Sequence, residues 1–170
     1  MTVARDLELY LVRHAAAAER GPDWPDDTVR PLTPDGAAKF RKVAAGLAGF
    51  GVEIDLVLTS PLVRCRQTAE ILADGLPGRP RVQAIDALAP GAGVTAVLAE
   101  IARVARRPRV AVVGHEPDLG LLAARLLGMK RPPAFKKGAA CRVDVDSLPP
   151  GAPGHLIWFA TPRMLRRMAP

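Results

Sequence analysis

Aromatic side chains are scarce. Four Phe, two Trp and one Tyr make up 4% of the chain, so the interior must be built mainly from Ala, Leu and Val, and no interleaved aromatic stripe is available to stack bases. Cysteine is scarcer still: Cys65 and Cys141 are the two present, with no metal-like spacing and no histidine close by in sequence. A disulfide framework is excluded, and free thiols in a reducing compartment are expected. No apolar run approaches the ~18 residues of a membrane span, and the start lacks the basic segment, apolar core and cleavage site of an export signal. A soluble, cytoplasmic protein is the expectation. Internal repeats and low-complexity linkers are also missing.

What is present suits one domain, residues 1–170, long enough to bury roughly 70% of its unfolded surface. Apolar residues at 49% and charged residues at 24% exclude wholesale disorder. The net charge of +7 and the isoelectric point near 10.2 favour anionic partners: phosphorylated small molecules, acidic protein patches or nucleic acid. No RNA-binding signature supports nucleic acid. The arginines of Arg163-Met164-Leu165-Arg166-Arg167 read as a solvated, solubilising face.

The stretch that organises the chain is Leu7-Glu8-Leu9-Tyr10-Leu11-Val12-Arg13-His14, an apolar run ending abruptly in a cation and an imidazole. Its composition is that of a buried strand in a parallel sheet, and open α/β sheets place their ligands just beyond the carboxyl ends of such strands. Residues 15–30, with Gly21, Pro22 and Pro25, have no periodicity and read as a surface loop covering that end. Thr33-Pro34-Asp35-Gly36 combines an N-cap, a first-turn proline and an acid, and the apolar spacing that follows predicts a helix over 34–49. A second strand over 54–60 runs into a helix from Pro61 to Asp74, whose junction is a natural anion site and whose first turn holds Arg64. A short strand over 81–85, a loop over 86–93 and a helix from Val94 to Ala105 follow. Val110–His115 then repeats the opening design, an apolar strand closed by a histidine, and Pro117-Asp118 starts another helix. Strands at 141–145 and 156–160, joined by a Pro- and Gly-rich turn, suit antiparallel neighbours. The order implies a three-layer α/β/α sandwich with a mostly parallel central sheet and an antiparallel edge strand.

Three strand ends therefore carry chemistry: Arg13 with His14 on the first, Ser60 with Arg64 just after the second, and His115 after the fourth. Of three histidines, two terminate apolar strands at one sheet edge, while His155 begins the last strand and reads as structural. A cation beside a neutral imidazole suits an anion with an electrophilic centre, because guanidinium matches phosphate oxygens and imidazole attacks phosphorus. Cys65, next to Arg64, reads as a buried, inert thiol rather than a redox sensor.

In order, Leu-Val-Arg13-His14, then Thr59-Ser60-Pro61-Leu62-Val63-Arg64-Cys65-Arg66-Gln67-Thr68-Ala69, then Val113-Gly114-His115-Glu116-Pro117 resemble the histidine phosphatase (phosphoglycerate mutase-like) superfamily. Val29-Arg30-Pro31-Leu32-Thr33 is similar to its short SixA-type branch of phosphohistidine phosphatases. The resemblance implies a metal-independent phosphatase with no cofactor. His14 would take the phosphoryl group, Arg13 and Arg64 would grip its oxygens, and His115 would donate to it as charge shifts. Arg30, Ser60 and Glu116 would be further substrate contacts, and the positive cluster would keep His14 neutral. The implied partner is a phosphohistidine protein or a small phosphorylated substrate.

Two departures from that pattern bear on chemistry. Ala15 stands where the family usually has glycine. In Ile85-Asp86-Ala87-Leu88-Ala89-Pro90 the place of the usual acidic proton donor holds Ala87, with Asp86 adjacent as a possible general acid. An alkoxide leaves poorly without a proton donor, whereas imidazole leaves as a neutral ring, so the gap favours a phosphoramidate substrate. A phosphatase of small phosphate esters or nucleotides, and a catalytically silent phosphate- or phosphoprotein-binding module, are the alternative readings.

Overall fold

The computed structural model describes residues 6–170. Six strands, β1 (Leu7–Arg13), β2 (Leu56–Thr59), β3 (Arg81–Ala84), β4 (Arg109–Gly114), β5 (Ala140–Val145) and β6 (His155–Ala160), form one sheet in the order β3-β2-β4-β1-β5-β6. The first four of that order run parallel; β5 pairs antiparallel with β1 and β6 antiparallel with β5. The antiparallel edge is thus two strands wide rather than one.

Alternation along the parallel strands sends side chains to two buried faces. Tyr10, Val12, Val57, Ala111 and Val113 join one apolar cluster, whereas Leu9, Leu11, Leu58, Val110 and Val112 join the other. Helices α1 (Pro34–Gly49), α2 (Val63–Gly75) and α5 (Pro162–Arg167) supply the first cluster through residues such as Phe40, Leu72 and Leu165. Helices α3 (Val94–Val104) and α4 (Asp118–Leu127) supply the second through Ile101, Leu122 and Leu126. Both faces of the centre are covered, as continuous apolar strands require.

α1 begins as its sequence dictates, with the Thr33 hydroxyl accepting from Gly36 N–H and Pro34 at its first position. The same device starts α5, where the Thr161 hydroxyl accepts from Met164 N–H ahead of Pro162. Arg163 and Arg167 of this helix are exposed, as the solvated face expected there requires, while Leu165 between them is buried and its carbonyl lies against Gly46 of α1. A Cβ at Gly46 would lie 1.8 Å from that oxygen, so the approach of the two helices at this point requires glycine. The loop over 15–30 contains a 3-10 helix, Asp27–Val29, and the loop over 86–93 contains another, Asp86–Leu88. No described helix is long and apolar enough to cross a membrane.

Candidate active site

Register brings the two strand-ending histidines together. Arg13 pairs with Gly114 across β1 and β4, so the next residue on each strand is a histidine at the same level. His14 N–H donates to Gly114 O at 3.0 Å. Beside them Ser60 N–H donates to Val113 O at 3.0 Å, which carries the end of β2 and the start of α2 to the same edge. Arg13, His14, Arg64, His115, Arg30 and Glu116 all line one cleft of about 480 Å³.

The end of β1 is fixed from several directions. Gly138, with φ of +82°, donates its N–H to both Arg13 O (3.2 Å) and His14 O (3.1 Å), a backbone conformation that favours glycine. Ala15 N–H donates to the Thr68 hydroxyl at 3.1 Å, and that hydroxyl donates to Arg64 O at 2.7 Å. One threonine therefore ties the residue after the strand to the first turn of α2. The alanine at position 15 sits in this arrangement with 3% of its surface exposed.

Each imidazole has one nitrogen committed to a carbonyl, which can only accept. His14 Nδ1 lies 2.7 Å from Ala15 O, so Nδ1 carries the proton and Nε2 of the neutral ring keeps its lone pair. His115 is tied the other way round: its Nε2 lies 3.1 Å from Leu88 O, and Nδ1 is 3.5 Å from the Asp118 carboxylate. Burial, first, and then the charges of Arg64, Arg13 and His115 depress the His14 pKa to about 4, opposed by the bond to Ala15 O. The neutrality expected from positive charge is therefore due mainly to desolvation, with the arginines adding to it. Burial also lowers the His115 pKa, against the pull of Asp118.

The guanidinium groups are similarly prearranged. Arg13 Nη1 donates to Phe135 O at 2.6 Å, while its Nε is buried without a partner. Arg64 donates from Nη1 to Asp27 O at 2.8 Å and from Nη2 to Asp27 Oδ2 at 2.9 Å, and its Nε is likewise buried and unpartnered. Arg30 donates from Nε to Asp27 Oδ1 at 2.8 Å and from Nη1 to Ala18 O at 2.6 Å. Arg13 and Arg64 both line the cleft, and each thus carries there one buried donor that no acceptor among the described residues satisfies.

Two expected positions lie differently. Ser60 is fully buried, and its hydroxyl accepts from Leu62 N–H at 3.3 Å, serving the strand-to-helix turn and not the cleft. Asp86 is exposed and does not line the cleft, so it is not positioned as a proton donor there. His155, in contrast, opens β6 as its place in the sequence predicts, at the opposite edge of the sheet and paired with Asp144. Cys65 is buried, and desolvation raises its thiol pKa to about 11, which suppresses the reactive thiolate. Glu116 does line the cleft; burial raises its carboxyl pKa, Arg13 lowers it, and Oε1 accepts from Gly120 N–H at 3.1 Å. Missed entirely was Asp27, which pairs with Arg64 across 37 positions of sequence from a loop without periodicity. Thr68 stood inside the quoted motif, but nothing in its spacing marked the bond to Ala15.

A doubly covered α/β sheet that brings two histidines and Arg13 from its parallel strand ends, and Arg64 from the first turn of the following helix, into one cleft defines a phosphohydrolase. Residues 9–90 match the family model of the histidine phosphatase superfamily (branch 1). The chain is 32% identical over 162 residues to the phosphohistidine phosphatase SixA of Escherichia coli strain K12, covering 94% of this chain and 97% of that one. It belongs to the histidine phosphatase superfamily. An uncharacterized protein of Picosynechococcus is 44% identical over 116 residues, 67% of this chain and 69% of that protein. Among solved structures, that of protein histidine phosphatase SixA complexed with tungstate superposes with a TM-score of 0.81 at 32% identity, covering 94% of this chain and 99% of that one. With family membership, the reading as a silent binding module gives way to that of an enzyme.

Proposed function

We propose that this phosphatase removes phosphate from phosphohistidine on a protein through a phospho-His14 intermediate. The observation that carries the reading is the state of His14: a neutral imidazole held by Nδ1–H on Ala15 O, with Nε2 uncommitted in a cleft lined by Arg13, Arg64 and His115. Nε2 attacks phosphorus, the P–N bond to the substrate imidazole breaks, and that ring leaves with the bonding pair and takes a proton. Water then attacks phospho-His14, releasing inorganic phosphate and restoring the ring. The unpartnered Nε–H groups of Arg13 and Arg64 bind the phosphoryl oxygens, and the charge they stabilise is spread over those oxygens in the transition state. A bound phosphoryl dianion opposes the burial that depresses the His115 pKa, so His115 gains a proton on Nδ1 and donates it as charge shifts. Likeness to SixA of Escherichia coli supports the phosphohistidine substrate, as does the placement of Asp86 outside the cleft, since a departing imidazole needs no strong acid.

One observation favours a second reading, hydrolysis of small phosphate esters: Glu116 lines the cleft with a carboxyl whose proton affinity is raised by burial. A single experiment separates the two. The enzyme is incubated with a histidine-phosphorylated protein and with an alkyl phosphate, and acid-labile phosphoenzyme is trapped. Wild type forms phosphoenzyme, His14→Asn forms none, and Glu116→Gln keeps turnover of the phosphohistidine protein within about threefold. A wild-type preference for the alkyl phosphate that Glu116→Gln abolishes assigns the ester substrate instead. Turnover by His14→Asn at the wild-type rate removes the covalent intermediate.

A further inference from the structure

Arg64 is 3% exposed, and a buried guanidinium requires both a countercharge and a fixed orientation. Among the described residues its carboxylate partner is Asp27, which meets it with two acceptors at once, the main-chain oxygen on Nη1 and the carboxylate on Nη2. This is end-on capture of the guanidinium. It leaves the side edge, Nε–H with the remaining Nη–H beside it, as a second planar fork, and Nε is the atom that is buried and unpartnered. Asp27 is itself held in place: the Asp26 carboxylate accepts from Thr28 N–H and starts the 3-10 helix, while Arg30 binds Asp27 Oδ1 and anchors to Ala18 O.

We propose that Asp27 is a positioning residue of the phosphatase site, holding the end of the Arg64 guanidinium so that its side edge faces the phosphoryl group. The proposal rests on the reading of Arg64 as a phosphoryl-binding residue. It has a counterintuitive consequence. A carboxylate beside an anion site opposes binding of a substrate dianion, so its benefit must lie in alignment with the transition state and not in ground-state attraction. Loss of the charge should therefore lower kcat without raising KM.

The test uses the full chain and a protein histidine-phosphorylated with phosphoramidate. Asp27→Asn, nearly isosteric, is expected to lower kcat about tenfold or more, with KM unchanged or reduced. Asp27→Ser, which also removes the carboxylate, should show the same split, and thermal melts identify any variant that loses the fold. In the Arg64→Ala background, Asp27→Asn should cause no further loss, because the residue acts through Arg64. A kcat within twofold of wild type in a folded Asp27 variant, a rise in KM alone, or an equal loss in the Arg64→Ala background overturns the proposal. If Arg64→Ala itself retains wild-type turnover, the phosphoryl-binding reading fails and the positioning role with it. An impaired Arg64→Ala beside a normal Asp27→Asn removes only the positioning role.

Discussion

The carboxyl ends of β1 and β4 are built from the same material, an apolar parallel strand closed by a histidine, yet they present opposite faces of the imidazole. At β1 the ring is held through Nδ1 by the carbonyl of the next residue in its own chain segment. At β4 it is held through Nε2 by Leu88, which belongs to the loop following β3. The first arrangement leaves a lone pair on Nε2, suited to attack; the second leaves Nδ1 beside a carboxylate, suited to carry a proton. Identical strand ends thus acquire different chemistry from which carbonyl the ring finds, a choice made by loops and not by strands.

The sharpest way to break this comparison is to remove the second imidazole while keeping the first. His115→Asn should lower kcat/KM on a phosphohistidine protein by roughly two to three orders of magnitude, the range for loss of a single donor to a developing charge. Phosphoenzyme should still form slowly, in contrast to His14→Asn, and rapid-quench trapping of acid-labile phosphate separates the two. Equal, complete loss of phosphoenzyme in both variants would erase the division of roles.

Acid titration sharpens the comparison next. The folded pKa of His14, about 4, lies below its unfolded value of ~6.5, so the unfolded chain takes up the proton first. The neutral ring's contribution to stability is complete above pH ~6.5 and is lost as pH falls toward 4, amounting to about 3 kcal/mol at the end of that window. Urea unfolding of wild type and His14→Asn at pH 7 and pH 4.5 should show the variant losing less stability between the two. A parallel loss would mean that His14 is not buried as a neutral ring.

Thr68→Val gives the smallest expected effect and acts where the β1 end meets the first turn of α2. It removes the acceptor for Ala15 N–H and the donor to Arg64 O, leaving a buried N–H unsatisfied at a cost of about 1–2 kcal/mol. Denaturant titration measures that loss. Rate measurements on the His115→Asn background should show the two defects combining independently.

Much of this architecture is legible in the amino-acid sequence. Strands and helices were marked by apolar period and by the Thr33-Pro34 cap, because those signals are local and act through a few neighbouring dihedrals. The quartet of Arg13, His14, Arg64 and His115 was legible because parallel strands deliver their last residues to a common edge. Asp27 was not, since pairing across 37 positions leaves no spacing to read. Ser60 misled for a related reason: sequence gave its place at a strand end but not its direction, and its hydroxyl turns inward to Leu62 N–H. The short α5 carried the same Thr-Pro cap as α1, yet its arginines masked one buried leucine.

Reversal of chain direction at β5 has a consequence for how such a site can change. Because β5 starts where β1 stops, the connector over 128–139 arrives at the working rim and not at the far one. It delivers the Phe135 carbonyl to Arg13, the Gly138 amide to the final carbonyls of β1, and Lys137 to the cleft wall. An entirely parallel sheet would have put that entry on the other side. A segment outside the parallel framework therefore forms one jaw of the cleft, and substitutions there can retune grip and selectivity while the four parallel strands stay as they are.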